Sequence, residues 1–67
     1  MKATKRLDNI ARVLGMKRQD MLDIFNSMGS GQRVIVGENT ILRIDEGNRK
    51  ILRVLYGEVI VSSVVIR

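Results

Sequence analysis

Two amphipathic patterns meet at a glycine in the stretch LDNIARVLGMKRQDMLDIFNSM, residues 7–28 of the chain. Apolar residues at three- and four-residue spacing form one face of a first helix: Leu7, Ile10, Ala11 and Leu14. The same spacing predicts one face of a second helix: Met21, Ile24, Phe25 and Met28. Because only two or three residues separate the helices, we expect them to pack at a sharp angle or to fold back as a tight hairpin.

Beyond Gly31 the sequence changes to β-branched and aliphatic runs. These runs predict four strands, near residues 33–36, 40–45, 50–56 and 58–66. Turn-forming residues separate them at 37–39, 45–48 and 57–58, and Gly57 with Glu58 suits a two-residue turn with glycine at its first central position. The sequence therefore predicts an α+β fold in a single domain, with a two-helix hairpin over residues 1–31 and a four-stranded antiparallel β-meander over residues 32–67.

The chain has 67 residues, a size at which one hydrophobic core is only marginally sufficient. Small domains usually gain support from disulfides, a structural metal or oligomerisation, and this sequence has no Cys and no His. The last two predicted strands are apolar on both faces, whereas two short helices can cover only one. We therefore expect another copy of the chain to form the second layer, and a closed barrel is the rival explanation.

The absence of His and Cys also bears on chemistry, because it removes the most frequent general base and the most nucleophilic side chain. The seven carboxylates are scattered, so we expect no catalytic site, no metal site and no cofactor. No apolar run approaches the roughly 18 residues of a membrane span, and the N-terminus has no secretory signal pattern. These features predict a cytoplasmic or nucleoid protein without a membrane partner.

Positive charge is concentrated at the N-terminus. The chain carries 12 Lys and Arg against 7 Asp and Glu, a net charge of +5. Residues 1–18 contain six of the basic residues and only one acidic residue, so the whole excess lies there. The basic residues of the first helix follow a spacing of their own opposite the apolar face: Lys2, Lys5, Arg6 and Arg12. Such a stripe is either an ordinary solvated face or a surface for a polyanion.

Residues 7–28 resemble the helix-turn-helix motif of DNA-binding proteins, in the string NIARVLGMKR of residues 9–18. Ala11 is small enough to let the second helix approach the first, and Gly15 tolerates the positive φ of the turn. The resemblance implies that the second helix, from about Arg18 to Met28, enters the major groove while the first lies across the phosphate backbone. The hairpin that follows would resemble the wing of winged-helix proteins.

Carried over by position, the resemblance assigns Lys17 and Arg18 to phosphate contacts and Gln19 and Asn26 to the edges of adenine. Basic residues of the wing would touch the backbone or the minor groove: Arg43, Arg49, Lys50 or Arg53. The chain departs from the motif in its two aspartates on the second helix, which repel phosphate. The predicted DNA-binding residues are Lys2, Lys5, Arg6, Arg12, Lys17, Arg18, Gln19, Asn26, Arg49 and Lys50.

The sequence thus predicts a non-enzymatic DNA-binding protein, a small transcriptional regulator or architectural protein of a virus or prokaryote. Its expected partners are double-stranded DNA and further copies of itself, as a homodimer or a higher homo-oligomer. The alternative is a structural or protein-interaction module assembled through its apolar strands, without nucleic acid. RNA binding is a third and weaker hypothesis, because Phe25 and Tyr56 are the only aromatic residues that could stack on unpaired bases. Membrane-surface binding ranks last because the apolar face of the first helix lacks Trp and Phe.

Overall fold

Two helices precede four strands in the computed structural model, which describes residues 2–66 and the side chains of residues 5–66. The elements are α1 (Lys2–Leu14), α2 (Arg18–Ser27), β1 (Arg33–Val36), β2 (Asn39–Glu46), β3 (Arg49–Tyr56) and β4 (Val59–Ile66). The strands form one antiparallel sheet in the order β1-β2-β3-β4. The predicted fold class, a helical hairpin followed by a β-meander, is confirmed. The rival closed barrel is wrong, because β1 and β4 are opposite edges of an open sheet.

The link between the helices depends on Gly15. Its φ is +71°, a conformation that other L-residues adopt only at a cost. The Gly15 N–H donates to the Arg12 carbonyl at 3.0 Å, and the Met16 N–H donates to the Ala11 carbonyl at 3.0 Å. This pair of bonds is a Schellman motif, which satisfies the last carbonyls of α1 and turns the chain sharply into α2.

All three hairpins use two-residue turns that begin with a glycine, at residues 37–38, 47–48 and 57–58. Each glycine has a φ of +60° to +62°, and no described non-glycine residue has a positive φ, which makes these type II′ turns. The second turn is therefore shorter than expected. Asp45 and Glu46 belong to β2 and lie opposite Lys50 and Arg49.

The core lies between the helices and one face of the sheet. Its fully buried side chains come from α2 and the two central strands: Phe25, Met21, Ile41, Leu52 and Val54. Buried residues of α1 complete it: Ile10, Ala11 and Leu14. Helix α1 packs over β4 and against α2, so the apolar faces read from the sequence are the ones that the fold buries.

No described residue covers the other face of the sheet. Strand register places a set of mostly apolar side chains there: Ile35, Leu42, Ile44, Ile51, Leu55, Ile60 and Val65. We call this set the open face. Most of its residues are half-buried by their own neighbours, and Leu55 is only 6% exposed although it lies outside the core cluster. The expectation that the sheet is apolar on both sides is met, with only one side covered within this chain.

Strand β4 is irregular near its start. Its register against β3 shifts between Val54 and Leu55, which face Ser62 and Ile60 respectively and leave Val61 as the extra residue of a β-bulge. Val61 therefore lies beside Ser62 on the helix side, where both line a cleft beneath α1.

Candidate nucleic-acid interface

The basic residues of α1 lie on its solvent side. Lys5, Arg6, Asn9 and Arg12 are exposed, on the side of the helix away from the buried apolar residues. We call these four residues the α1 ridge. The side chain of Lys2, also predicted to bind DNA, lies outside the described residues.

Asp8 is the single acidic residue of α1, and an ion pair neutralises it. Its Oδ1 lies 3.4 Å from Nη1 of Arg18 on α2, with both side chains about half exposed. Exposed pairs of this kind contribute about 0–1 kcal/mol to stability, so Arg18 can exchange this partner for a phosphate at little cost. None of the three cations of the ridge forms an ion pair with a described carboxylate.

The outer face of α2 is amide-rich and acidic. Gln19, Asp23 and Asn26 are all exposed and lie within about 60° of one another around the helix, at 100° per residue. The Gln19 Nε2 donates to the Asp23 Oδ1 at 2.9 Å. Helix α2 contains one cation, Arg18, and two carboxylates, Asp20 and Asp23. Further cations that contact phosphate beside α2 must therefore come from other elements. The structure thus brings Gln19 and Asn26 onto one face, with a carboxylate between them.

Lys17 precedes α2 as its N-cap residue and makes no side-chain capping bond. Its side chain is exposed where the chain leaves α1, next in sequence to Arg18. The Lys17 ammonium is therefore the second cation, after Arg18, at the start of the predicted reading helix.

Arg49 and Lys50 are exposed but lie away from Lys17 and Arg18. They lie opposite Glu46 and Asp45 across the β2–β3 hairpin, so the local charge balances. The Asp45 N–H donates to Oγ of Ser30, just beyond the end of α2, at 3.0 Å. Helix α2 rises 1.5 Å per residue, so its two ends are about 14 Å apart. The structure therefore separates the predicted DNA-binding residues into a group near the start of α2, which includes Lys17 and Arg18, and a second group, Arg49 and Lys50, near its end.

Arg43 was expected on a DNA-contacting wing, and this is wrong, because it is buried. Its Nη1 donates to the carbonyls of Phe25 at 2.8 Å and Met28 at 2.9 Å, and its guanidinium lies 4.6 Å from the Phe25 ring centroid. Its Nε and Nη2 donate to Asp45 at 3.0 and 3.3 Å. Arg43 thus satisfies the C-terminal carbonyls of α2. The two-residue period of a strand already indicated that Arg43 is buried, because it places Arg43 on the same face of β2 as the core residue Ile41.

Arg53 was a further wing candidate, in β3. It is half-buried on the open face, and its register partners are Leu42 and Ser63. The helices pack on the opposite side of the sheet, so Arg53 cannot join the α1 ridge in a single contact surface.

A cleft of about 340 Å³ lies between α1 and β4. Arg6 and Asn9 line it from the helix, and Val61 and Ser62 from the strand. Val13 beside it is 64% exposed. This side of α1 therefore combines a cation with uncovered apolar surface.

Among residues 5–66, no three carboxylates lie close enough together to hold a metal ion. Neither helix in the described part of the chain is long and apolar enough to cross a membrane. No protein-family model, curated protein or solved structure matches this chain.

Proposed function

We propose that the protein is a non-enzymatic DNA-binding protein, a small oligomeric transcriptional regulator or architectural protein, and that the α1 ridge provides its main contact with the phosphate backbone. The observation that carries the proposal is the arrangement of charge around α1. Lys5, Arg6 and Arg12 project into solvent, and the one carboxylate of the helix is paired with Arg18. A protein that neutralises phosphates with such cations gains affinity by releasing counterions.

The outer face of α2 supplies the base contacts in this mechanism. Lys17 and Arg18 hold the backbone where α2 begins, and Gln19 and Asn26 can each form paired hydrogen bonds with adenine. Asp23 between them can accept a hydrogen bond from the amino group of cytosine. Lys50, on the helix side of the sheet, contacts a phosphate of a duplex that runs along α2 to its C-terminal end, whereas Arg49 lies with Glu46 on the opposite side of the sheet. The proposed function places the protein with DNA in the cytoplasm or nucleoid.

Duplex binding measured by fluorescence anisotropy tests the proposal, with Arg12→Ala compared with Arg33→Ala. Both residues are exposed arginines, but Arg33 belongs to β1 and points to the side of the sheet away from the ridge. Arg12→Ala should weaken binding of every duplex sequence and reduce the salt slope by about 1, whereas Arg33→Ala should change neither. Equal losses for both variants, or no binding by the wild type at low salt, would refute the proposal.

A second candidate function is supported by the open face. A sheet face this apolar is typical of a surface that another protein layer covers, so the chain could serve as an assembly module without nucleic acid. Sedimentation of the protein alone, followed by a shift assay with random duplex, separates the two candidates. A large stable assembly that does not bind DNA would favour the second candidate, the assembly module.

A further inference from the structure

Strand β4 is an edge strand whose protection is limited to the β-bulge near its start. It spans eight residues, VIVSSVVI, without a charged residue or a proline. Three consecutive side chains at its start are widely exposed: Val59 at 65%, Ile60 at 52% and Val61 at 52%. The opposite edge, β1, has only four residues and begins with Arg33. Short length and charge are the usual protections against edge-to-edge pairing, and β4 has neither.

The sequence of β4 is complementary to itself. Two serines stand at its centre, with only valine and isoleucine on either side. An antiparallel copy with its two-fold axis at Ser63 sets Ser63 opposite the second copy's Ser63. Beyond the bulge, Ile60 then lies opposite Val65, and Val59 opposite Ile66. Strand register puts Ile60 and Val65 on the open face and Val59 and Ile66 on the helix side, so each pair shares a face, as cross-strand pairs require.

We propose that a second copy of this chain pairs with β4, so that two four-stranded sheets become one continuous eight-stranded sheet. Several features favour a second copy as the occupant of this edge. The strand matches itself in apolar and serine positions, and pairing covers the exposed residues 59–61 together with nearby Val13. Pairing with a second copy also adds stability to a chain of 67 residues without cysteine, whose small core alone is only marginally sufficient.

The symmetry of this pairing determines where the helices lie. Antiparallel neighbours in one sheet are related by a two-fold axis perpendicular to it, so the helix side of one copy and that of the other fall on the same side. Because α1 packs over β4, the two α1 ridges lie next to each other at the junction. This consequence rests on the proposed function, since it gives a duplex twice the cationic surface on one side of the dimer.

The two ridges repel each other, which gives the dimer a characteristic salt dependence. Screening of like charges should strengthen dimerisation as salt rises. Duplex binding should weaken over the same range, because counterion release becomes less favourable. Because these two salt dependences have opposite signs, they distinguish direct pairing of two protein copies from association that is bridged by DNA.

Sedimentation equilibrium without nucleic acid tests the proposal, with Val61→Lys compared with Ile35→Lys. Both changes place a lysine at an exposed apolar position, but on opposite edges of the sheet. We expect a wild-type dimer, at least a tenfold weaker association for Val61→Lys and an unchanged one for Ile35→Lys. A monomeric wild type, equal effects of both variants, or loss of the dimer only in Ile35→Lys would overturn the proposal.

Cross-linking tests the register without disturbing the apolar edge. The chain has no cysteine, so Ser63→Cys introduces a unique thiol. A mild added oxidant should convert two such thiols to a disulfide that links the dimer, because directly opposed Cα atoms of antiparallel strands are about 4.5–5.5 Å apart, within the range that a disulfide spans. Ser27→Cys, exposed on α2, should form no covalent dimer under the same conditions. Equal cross-linking of both variants would contradict the pairing. If Ser63→Cys does not cross-link and duplex binding is intact, the β4 dimer alone is refuted. If the dimer forms but the protein does not bind duplex, the proposed function alone is refuted.

Discussion

Replacement of Arg43 by alanine tests whether this side chain holds α2 on the sheet. In the wild type its guanidinium donates to two carbonyls at the end of α2 and to both carboxylate oxygens of Asp45. In Arg43→Ala the Phe25 carbonyl keeps the Met28 N–H as a donor at 3.1 Å, whereas the Met28 carbonyl loses the guanidinium. Asp45 is about one third exposed and can be rehydrated.

The expected cost follows from these contacts. An unsatisfied buried acceptor costs about 1–3 kcal/mol, and hydrogen bonds to charged groups contribute about 1.5–3 kcal/mol each without being additive. Together with the lost cation–π contact between the guanidinium and the Phe25 ring, we expect Arg43→Ala to lower the free energy of unfolding by roughly 3–4 kcal/mol. A core of this size supplies about 3–5 kcal/mol, so the variant should be close to unfolded at room temperature.

Thermal and urea denaturation followed by far-ultraviolet circular dichroism measures this loss. At about 4–8 °C per kcal/mol, the midpoint should fall by about 20 °C. Arg53→Ala is the matched control, since Arg53 is half-buried in the adjacent strand and forms no ion pair with a described carboxylate. It should cost less than about 1 kcal/mol. Equal losses for the two variants would refute the role assigned to Arg43.

Two further substitutions test the link between the helices and the charge of the ridge. Gly15→Ala should destabilise the protein by about 1–2 kcal/mol because of the positive φ alone, since an added Cβ meets no atom within 4 Å. Gly29→Ala, whose Cβ would contact Gln32 at an ordinary 3.6 Å without a positive φ, should cost less in the same urea titration, and the reverse order would contradict the argument. Asp8→Asn should change stability by less than about 1 kcal/mol, because the pair with Arg18 is exposed, but should raise duplex affinity at low salt. An anisotropy titration showing unchanged or weaker binding by that variant would exclude α1 from the interface.

The architecture was predictable because its signals are local. Three- and four-residue spacing located both helices, and runs of β-branched residues bounded by glycines located all four strands. The error at Glu46, which was expected in the turn, has a physical cause. Gly47 with Asn48 is sufficient for a two-residue turn, so the polar residues before it extend β2.

The site was less predictable, because it depends on tertiary contacts. Sequence identified the exposed cations of α1, since a helical period separates them from the core. It could not show that Arg18 pairs with Asp8, or that the end of α2 lies over Arg43. Both contacts join residues from different elements, whose relative position is set by core packing.

The salt dependence of duplex binding tests the central claim most directly. Affinity of the full chain for a random duplex would be measured by anisotropy at several salt concentrations. With the three ridge cations, Lys17, Arg18 and Lys50 each neutralising one phosphate, the slope of log K against log salt should be about −5 for each protein copy. A slope near zero, or no binding at low salt, would contradict the account.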